Sequence, residues 1–354
     1  MKLRKSTFPV LFIFALVIVS SSIVIQRADA QTQTAKPVAS ATPPVQEEEG
    51  VIKVDTEAVN VLFTAQDKNR RLLLTLKPTD FQIFENGQLQ TVSSFSKQVD
   101  LPLSLSILID TSMSQERTLP EEKMAAISFL EAVVRPEKDE VAVISFTGES
   151  TLEQGMTSNI NRLRRAVENV RLAPQYGYIG GGVVVGTPGI NPNSASGSTA
   201  IWDAIWVTSE EILGPAPEKT RRAIILLSDG VNTSGKKKLN DAVEAAQKAE
   251  AVIYSIGIGD NFTNGVDESS LSRIAEKTGG KAFFPRDEME LRKAFQQIQE
   301  EMRSQYLVSY EPTNGTLDGS YRTIDIKLVN TELQKQKVQL THRKGYFAKT
   351  EKKK

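Results

Sequence analysis

The sequence contains no cysteine and a single histidine, His342, among its 354 residues. These absences exclude disulfide bonds, a thiol nucleophile, zinc sites built from cysteine and histidine, and the two-histidine motif of metalloproteases. A bound metal ion would therefore be held mainly by oxygen atoms. His342 lies beside Arg343 and Lys344 in a tail with a β-strand pattern, so we expect its side chain to be exposed and assign it no role.

The chain also lacks an excess of charge of either sign, with 43 basic and 43 acidic residues. Residues 1–30 hold four of the basic residues and one of the acidic ones, so the rest of the chain is slightly acidic. Nucleic acid is not expected as a partner, because phosphate backbones are bound by basic surfaces. Neither composition nor charge indicates an oligomeric state.

Only one long apolar run is present, and it lies near the N-terminus. Three basic residues precede an apolar run over residues 8–25, and Ala28 and Ala30 are small residues at the two positions that a signal peptidase reads. We predict that residues 1–30 are a cleaved secretory signal and that the protein is exported to the periplasm, the cell envelope or the exterior. The alternative is an uncleaved anchor, because the run approaches the ~18–20 residues that span a bilayer. Membrane association is expected only in that case.

Two further segments have compositions that do not suit a packed core. Residues 31–52 are rich in Gln, Thr, Ala, Pro and Glu, and residues 349–354 form a basic tail. The first segment buries too little apolar surface to offset the entropy of ordering it, so we predict a flexible linker. The roughly 320 residues that follow the signal exceed what one hydrophobic core usually supports, so two modules are expected.

Two segments with a period-two apolar pattern flank the middle of the chain. Residues 53–100 contain Asn86-Gly87, a strong signal for a two-residue hairpin turn, and residues 305–348 return to the same alternation. Each segment alone is too small to be stable as an antiparallel sheet. We therefore predict that the two segments pack into one β-sandwich, with residues 101–304 inserted between them.

Residues 101–304 alternate between strand and helix patterns. Four short apolar runs are separated by helical patterns, which predicts a parallel sheet covered by helices on both faces, and hence an α/β fold. The runs are residues 105–109, 141–146, 223–227 and 252–256.

The helices of this region carry their own start and stop signals. Thr118 with Glu121 forms a capping-box pattern, Asp287 with Glu290 repeats it, and Gly279 is expected to end a shorter helix in the left-handed conformation. Apolar residues at helical spacing are expected to pack on the sheet. In the first helix they are Met124, Ile127, Leu130 and Val134.

Oxygen-bearing side chains follow the ends of the predicted strands. Asp110, Ser112 and Ser114 come directly after the first apolar run, Asp229 follows the third, and Thr199 opens a helical segment between them. Ligands bind where the carboxyl ends of parallel strands converge, so we expect these five residues to meet. Hard divalent cations prefer oxygen ligands. The five residues therefore predict a site for Mg²⁺, with Mn²⁺ or Ca²⁺ also possible; the alternative is that the two aspartates only cap the following helices.

Together, Asp-x-Ser-x-Ser, the helix-opening Thr and Ser-Asp-Gly resemble the von Willebrand factor A domain and its metal-ion-dependent adhesion site. The resemblance covers about residues 101–304. It implies a doubly wound, mostly parallel, Rossmann-like sheet with Mg²⁺ at its top and a partner's carboxylate completing the metal shell. The flanking β segments and the closing Gly345-Tyr346-Phe347 also resemble bacterial secreted proteins with this domain, notably a set common in acidobacteria. By position, the implied ligands are Asp110, Ser112 and Ser114, then Thr199, then Asp229.

Residues 173–198 depart from that family, in which a short turn leads to the Thr. The segment is long and rich in Gly, Val, Asn and Ser, and it contains Tyr176 and Tyr178. Long loops without secondary structure are usually functional or disordered. One hypothesis is that the segment forms part of the ligand surface with the two tyrosines as apolar anchors; the alternative is a disordered insertion.

The leading functional hypothesis is a secreted or envelope-associated adhesion or scaffolding module, not an enzyme, that binds a protein carboxylate through the cation. One alternative is a metal-dependent hydrolase or a subunit of a metal-inserting complex. Catalysis would need a general base beside the metal, and only Glu116 lies near the motif. A third hypothesis is a structural module of the envelope with no occupied metal site.

Overall fold

The computed structural model describes residues 58–97, 101–173, 198–217, 220–259 and 265–350. The residues from Val54 onward form one compact unit. The predicted signal and linker, the tyrosines at 176 and 178, and the last residues of the basic tail lie outside the described ranges. Among the helices in those ranges, none is both long enough and apolar enough to cross a bilayer.

A six-stranded sheet forms the centre of the molecule, and its order is β10-β9-β8-β5-β6-β7. All neighbours are parallel except β6 and β7, which are antiparallel. The four predicted parallel strands are therefore confirmed, while the antiparallel edge strand β7 and the short β10 were not predicted. The strands are β5 Leu103–Asp110, β6 Glu140–Phe146, β7 Ser150–Thr157, β8 Arg221–Ser228, β9 Ala251–Gly257 and β10 Ala282–Phe283.

Helices cover both faces of this sheet, as the apolar runs predicted. All eight residues of β5 and of β8 are buried, because a parallel strand in a doubly covered sheet contacts helices on either side. Helices α1, α2 and α6 share one buried cluster with the sheet, and α3, α4 and α5 share the other. The helices are α1 Leu119–Val133, α2 Ile160–Asn169, α3 Ile201–Val207, α4 Leu239–Lys248, α5 Glu268–Thr278 and α6 Glu288–Arg303, and a π-helical turn, Thr208–Leu213, follows α3.

The flanking segments form two four-stranded antiparallel sheets, and each sheet combines strands from both ends of the chain. Their orders are β13-β1-β11-β4 and β14-β12-β2-β3. Side chains of both sheets form one buried cluster, in which Phe63 lies 5.3 Å from Phe81 and 5.2 Å from Tyr306 between ring centroids. The predicted β-sandwich is confirmed. Its elements are β1 Val59–Gln66, β2 Phe81–Glu85, β3 Gln88–Gln90, β4 Val92–Lys97, β11 Tyr306–Tyr310, β12 Tyr321–Leu328, α7 Thr331–Lys335, β13 Gln339–His342 and β14 Gly345–Phe347.

Two turn glycines adopt the conformations that their sequence context predicted. Asn86 and Gly87 have φ angles of 48° and 81° between β2 and β3, and Gly279 has φ 90° at the end of α5. A side chain at Gly279 would also lie 2.5 Å from the backbone nitrogen of Arg343. Glycine is required there both by its φ angle and by the close approach of the β-sandwich.

Two expectations about single residues are wrong. His342 is buried, not exposed: its Nε2 accepts from the Ile326 N–H at 3.3 Å, and its Nδ1 lies 2.8 Å from the Arg343 carbonyl. Burial lowers the pKa of its imidazole. Thr118 does not cap α1, because its hydroxyl donates to Oε1 of Gln115 at 3.0 Å instead. Among the predicted core positions of α1, Leu130 and Val134 are buried and Ile127 packs against the core, as expected, whereas Met124 is exposed.

Candidate metal site

The site begins at the carboxyl end of β5, where Asp110 is the last residue of the strand. Its side chain is fully buried. Oδ1 accepts from the backbone N–H of Ser112 at 2.9 Å, and Oδ2 accepts from the hydroxyl of Ser228 at 2.7 Å. Because Ser228 ends the neighbouring β8, the strand pairing fixes this carboxylate. Burial raises its pKa to about 6, and the negative charge of Asp229 adds to that shift.

The two serines of the motif lie on the turn that follows Asp110. Ser112 is buried and Ser114 half-buried, and their hydroxyl oxygens are 3.0 Å apart. A short 3₁₀ turn, Met113–Gln115, sets this spacing. Two hydroxyl oxygens on one turn, beside a carboxylate, form a compact set of oxygen ligands.

Asp229 lies directly after β8 and is 5 % exposed. Its Oδ1 accepts from the backbone N–H of Val231 at 2.9 Å. Gly230 follows with φ 82°, and a side chain there would lie 2.8 Å from Leu271, so only glycine allows the chain to turn away at this point. The Ser-Asp-Gly order therefore holds Asp229 at the strand end.

Thr199 reaches the site on a third segment, two residues before α3 begins. Its N–H donates to the hydroxyl of Thr233 at 2.8 Å, and its carbonyl accepts from the N–H groups of Thr233 and Ser234. The next residue, Ala200, donates to the carbonyl of Thr147 at 2.7 Å. The loops after β6 and β8 thus hold Thr199 near the strand ends, and the helix begins at Ile201 rather than at Thr199 as predicted.

The idea that the two aspartates serve as helix caps is wrong. Helix α1 begins at Leu119 and α4 at Leu239, in each case more than two helical turns beyond the aspartate. Each carboxylate instead accepts from the backbone N–H two residues further on. Both aspartates are thus positioned within their own loops rather than at the start of a helix.

A third buried carboxylate, Glu122, lies in the first turn of α1 and was not among the residues predicted from the sequence. It is fully buried, and within the described residues neither carboxyl oxygen has a well-formed hydrogen bond, although the nearby Thr118 hydroxyl favours its charged form. Burial raises its pKa to about 8, and the charges of Asp110 and Asp229 add to the shift. Glu122 occupies the buried face of α1 with Leu119 and Ala126. An acidic residue at helical spacing within an apolar face is the signal that could have revealed it.

The donor set fits a hard divalent cation. Within the described residues, no lysine or arginine forms an ion pair with Asp110, Asp229 or Glu122. Burying a carboxylate without a cationic partner costs free energy, and a bound cation reduces that cost. No group of three or more His, Asp or Glu side chains in the described ranges could hold a metal without help from hydroxyls. Two carboxylates and the hydroxyls of Ser112, Ser114 and Thr199 would therefore hold the ion.

Residues 190–298 match the family model of the von Willebrand factor type A domain. The chain therefore contains such a domain, and the matched residues include Thr199 and Asp229 but not Asp110. Among curated protein sequences, none matches the chain.

Several solved structures resemble the fold at low sequence identity. Proximal thread matrix protein 1 from the mussel byssus, with a zinc-occupied MIDAS motif, has 20 % identity, a TM-score of 0.45, and coverage of 61 % of this chain and 49 % of that chain. A von Willebrand factor type A protein from Catenulispora acidiphila has 15 % identity, a TM-score of 0.46, and coverage of 77 % and 74 %. An aerotolerance-related membrane protein from Bacteroides fragilis has 18 % identity, a TM-score of 0.41, and coverage of 56 % and 100 %. The chain thus spans about half the length of the mussel protein.

Proposed function

We propose that this protein is an exported adhesion or scaffolding module that binds an acidic group of a protein partner through a divalent cation. The observation that carries the proposal is the group of buried carboxylates, Asp110, Asp229 and Glu122, which no described cation neutralises. The ion would be held by Asp110, Ser112, Ser114, Thr199 and Asp229.

The choice of metal follows from the ligand types. Carboxylate and hydroxyl oxygens suit Mg²⁺, and Mn²⁺ or Ca²⁺ can use the same ligands. When bound, the ion supplies a positive charge that attracts an anion. Two unit charges about 4 Å apart at an effective dielectric of about 20 attract by roughly 4 kcal/mol before desolvation is subtracted. A partner's carboxylate would therefore make the decisive contact.

The hydrolase alternative has no observation in its favour. Glu116, the residue that follows the 3₁₀ turn, has an exposed side chain. Glu122 is buried in the first turn of α1, where the surrounding protein separates it from solvent. We therefore keep binding, not catalysis, as the proposed function.

The first test is a metal titration by isothermal calorimetry with Mg²⁺, Mn²⁺ and Ca²⁺. We expect saturable binding to the wild type and a loss of at least about a hundredfold in Asp110→Ala, because the main carboxylate ligand is removed. Asp325→Ala is the matched control, since Asp325 is an exposed carboxylate on β12 that pairs with Lys327. Equal metal binding by Asp110→Ala and the wild type would disprove the site.

The second test concerns the partner and the location of the protein. Purified wild type and Asp110→Ala would be used as baits for cell-envelope extract, with and without a chelator. We expect the partner to be captured only by the wild type and only with metal present. Equal capture in the presence of the chelator and by Asp110→Ala would contradict a metal-mediated contact. Replacement of Tyr176 and Tyr178 by alanine should weaken that capture if they anchor the ligand.

The predicted signal needs a separate test. N-terminal sequencing of the exported protein would show whether cleavage follows Ala30.

A further inference from the structure

A second candidate site lies at the opposite end of the central sheet from the metal site. Asp229 follows the carboxyl end of β8, whereas Arg222 lies at the beginning of that strand. An eight-residue strand separates the two ends by about 20 Å or more. Near Arg222 the α/β domain and the β-sandwich together enclose a cavity of about 320 Å³. That volume is within the range of small-molecule sites.

Cationic residues outnumber carboxylates on the walls of this cavity. Five cationic residues and a single carboxylate, Glu250, line it. The side chain of Glu250 is about half exposed and is shared by two of the cations, Arg343 at 3.1 Å and Arg222 at 3.8 Å. The cationic residues are Arg222, Lys248, Arg322, Arg343 and Lys349.

The three arginines are held by backbone carbonyls, and each also has a carboxylate partner: Arg222 and Arg343 share Glu250, and Arg322 lies 3.4 Å from Glu85 and 3.9 Å from Asp318. Arg222 donates to the carbonyl of Ala216 at 2.7 Å, and Arg343 donates to the carbonyl of Asn60 at 2.7 Å. Arg322 donates to two carbonyls in the loop before β12. Glu85 balances the charge of Arg322, whereas Arg222 and Arg343 have only the half-exposed Glu250 between them, so the charge of this pair is only partly compensated and its guanidinium groups are preorganised for an anion.

The same arginines also retain unused hydrogen-bond donors. Arg222, Arg322 and Arg343 are each at most 9 % exposed. The Nε–H of each is buried and has no acceptor among the described protein atoms. Buried donors are normally satisfied by an acceptor, so these guanidinium groups keep hydrogen-bonding capacity that the described protein does not use.

The lining also includes aromatic surface beside the cations. Tyr346 and Phe347 both line the cavity. The guanidinium carbon of Arg343 lies 5.6 Å from the ring of Tyr346, and Nζ of Lys248 lies 5.2 Å from that of Phe347. Such a wall suits the organic part of a ligand whose charged end contacts the arginines.

We propose that this cavity binds a small organic phosphate. Its phosphate group is recognised by the buried guanidinium groups of Arg222 and Arg343, which share the single carboxylate Glu250, and its organic part contacts Tyr346 and Phe347. This proposal does not depend on the metal site. A phosphate suits the lining better than a single carboxylate does, because it offers more acceptor oxygens and a larger negative charge to five cationic residues.

The test is calorimetric titration with inorganic phosphate, glycerol 3-phosphate and malonate at constant ionic strength, with a chelator present to exclude binding through a metal. We expect saturable binding of both phosphates, with glycerol 3-phosphate at least as tight, and weaker binding of malonate. Arg343→Gln should raise the Kd for glycerol 3-phosphate about tenfold or more, because a charge-assisted hydrogen bond is lost.

A pair of lysine variants keeps the test decisive if Arg343→Gln fails to fold. The side chain of Lys248 is 51 % exposed, so Lys248→Glu can reverse a lining charge without disturbing the core. It should weaken glycerol 3-phosphate binding at least about threefold through repulsion. Lys293→Glu, on the exposed side of α6, makes the same charge change elsewhere and should leave the Kd unchanged.

Three results would overturn the proposal. They are no saturable phosphate binding by the wild type at millimolar concentrations, equal weakening by Lys248→Glu and Lys293→Glu, and tighter binding of malonate than of either phosphate. Binding of inorganic phosphate alone, without glycerol 3-phosphate, would overturn the assignment of an organic ligand.

Discussion

Carboxylates are buried in two regions of this molecule, and only one of these regions supplies a cationic partner among the described residues. In the β-sandwich, Glu85 accepts hydroxyl hydrogen bonds from Tyr310 at 2.8 Å and Tyr346 at 2.9 Å, and its other oxygen lies 3.4 Å from Arg322. At the top of the α/β sheet, Asp110 and Glu122 are equally buried but have no cationic partner among the described residues.

The difference shows what each region is built to do. A buried carboxylate with its own arginine and two hydroxyl donors needs nothing from outside the chain, so the Glu85 network is structural. Carboxylates that are buried beside hydroxyls but without a cation are stable only if they stay protonated or a cation arrives. The contrast between the two regions, both inside one compact unit, is therefore the main argument for the metal site.

The largest effect is expected from breaking the structural network. Arg322→Met removes the cation and leaves Glu85 buried without it, which should destabilise the protein by about 3–5 kcal/mol. Urea unfolding measures the change. In Arg322→Met combined with Glu85→Gln the loss should be smaller than in Arg322→Met alone, because no charge stays buried. A loss below about 1 kcal/mol in the single variant would mean that Glu85 does not need its arginine.

Metal binding should stabilise the other region and leave the sandwich network unaffected. At a Mg²⁺ concentration about 100 times the Kd, unfolding should cost about 2.7 kcal/mol more than in chelator. Asp229→Ala should abolish that increase, as followed by thermal unfolding with and without Mg²⁺. The control is Arg322→Met, which should be less stable overall but gain as much from the metal as the wild type does. A Mg²⁺ gain retained by Asp229→Ala would remove Asp229 from the ligand set.

Glu122 should make the metal-free protein sensitive to pH. Its pKa is about 8 in the folded chain against an ordinary value of 4.5. Between those values the folded protein holds a proton that the unfolded chain has lost, so stability falls as pH rises through this window. Glu122→Gln should remove that part of the slope and stabilise the metal-free protein at pH 8 by on the order of 2 kcal/mol.

The measurement is urea unfolding of metal-free protein at a series of pH values from 4 to about 9. Glu300→Gln is a matched control, because Glu300 is an exposed glutamate on α6. Parallel pH profiles for wild type and Glu122→Gln would show that Glu122 is not a buried unpaired acid.

The smallest effect is expected for a single hydroxyl ligand. Ser114→Ala should weaken Mg²⁺ binding about five- to tenfold, since one neutral oxygen contributes on the order of 1 kcal/mol. Ser128→Ala on the exposed side of α1, whose hydroxyl donates to the Met124 carbonyl, should leave the affinity unchanged. Equal affinities in all three proteins, by calorimetry, would exclude the Ser114 hydroxyl from the site.

Much of the fold could be predicted from local patterns. The four parallel strands follow from short, uninterrupted apolar runs, and Asn86-Gly87 and Gly279 adopt the positive φ angles that their contexts require. The turn holding Ser112 and Ser114 could be placed because it follows a strand directly. These features depend on neighbouring residues, whose influence is present in the sequence itself.

Features that depend on distant packing could not be predicted. The strand pattern predicted an exposed His342. Its side chain is instead buried in the β-sandwich, where it accepts a hydrogen bond from the Ile326 N–H of the other sheet. Glu122 belongs to no motif that the sequence presents. Its burial depends on how α1 lies against the sheet: periodicity placed Leu130 and Val134 correctly in the core, but the first turn of the helix is rotated so that Glu122 is buried and Met124 is exposed.

The sequence by itself determined the chemistry that this protein can use. Without cysteine and with one histidine, any metal must be held by oxygen, and the order of Asp110, Thr199 and Asp229 along an alternating strand and helix pattern places those oxygens at strand ends. The tertiary structure alone decided which buried charges are neutralised. Glu85 and Arg322 are 237 positions apart in sequence, and they meet because β2 pairs with β12. Whether a buried charge has a partner depends on such long-range pairing, and electrostatic energy depends on distance in space rather than along the chain.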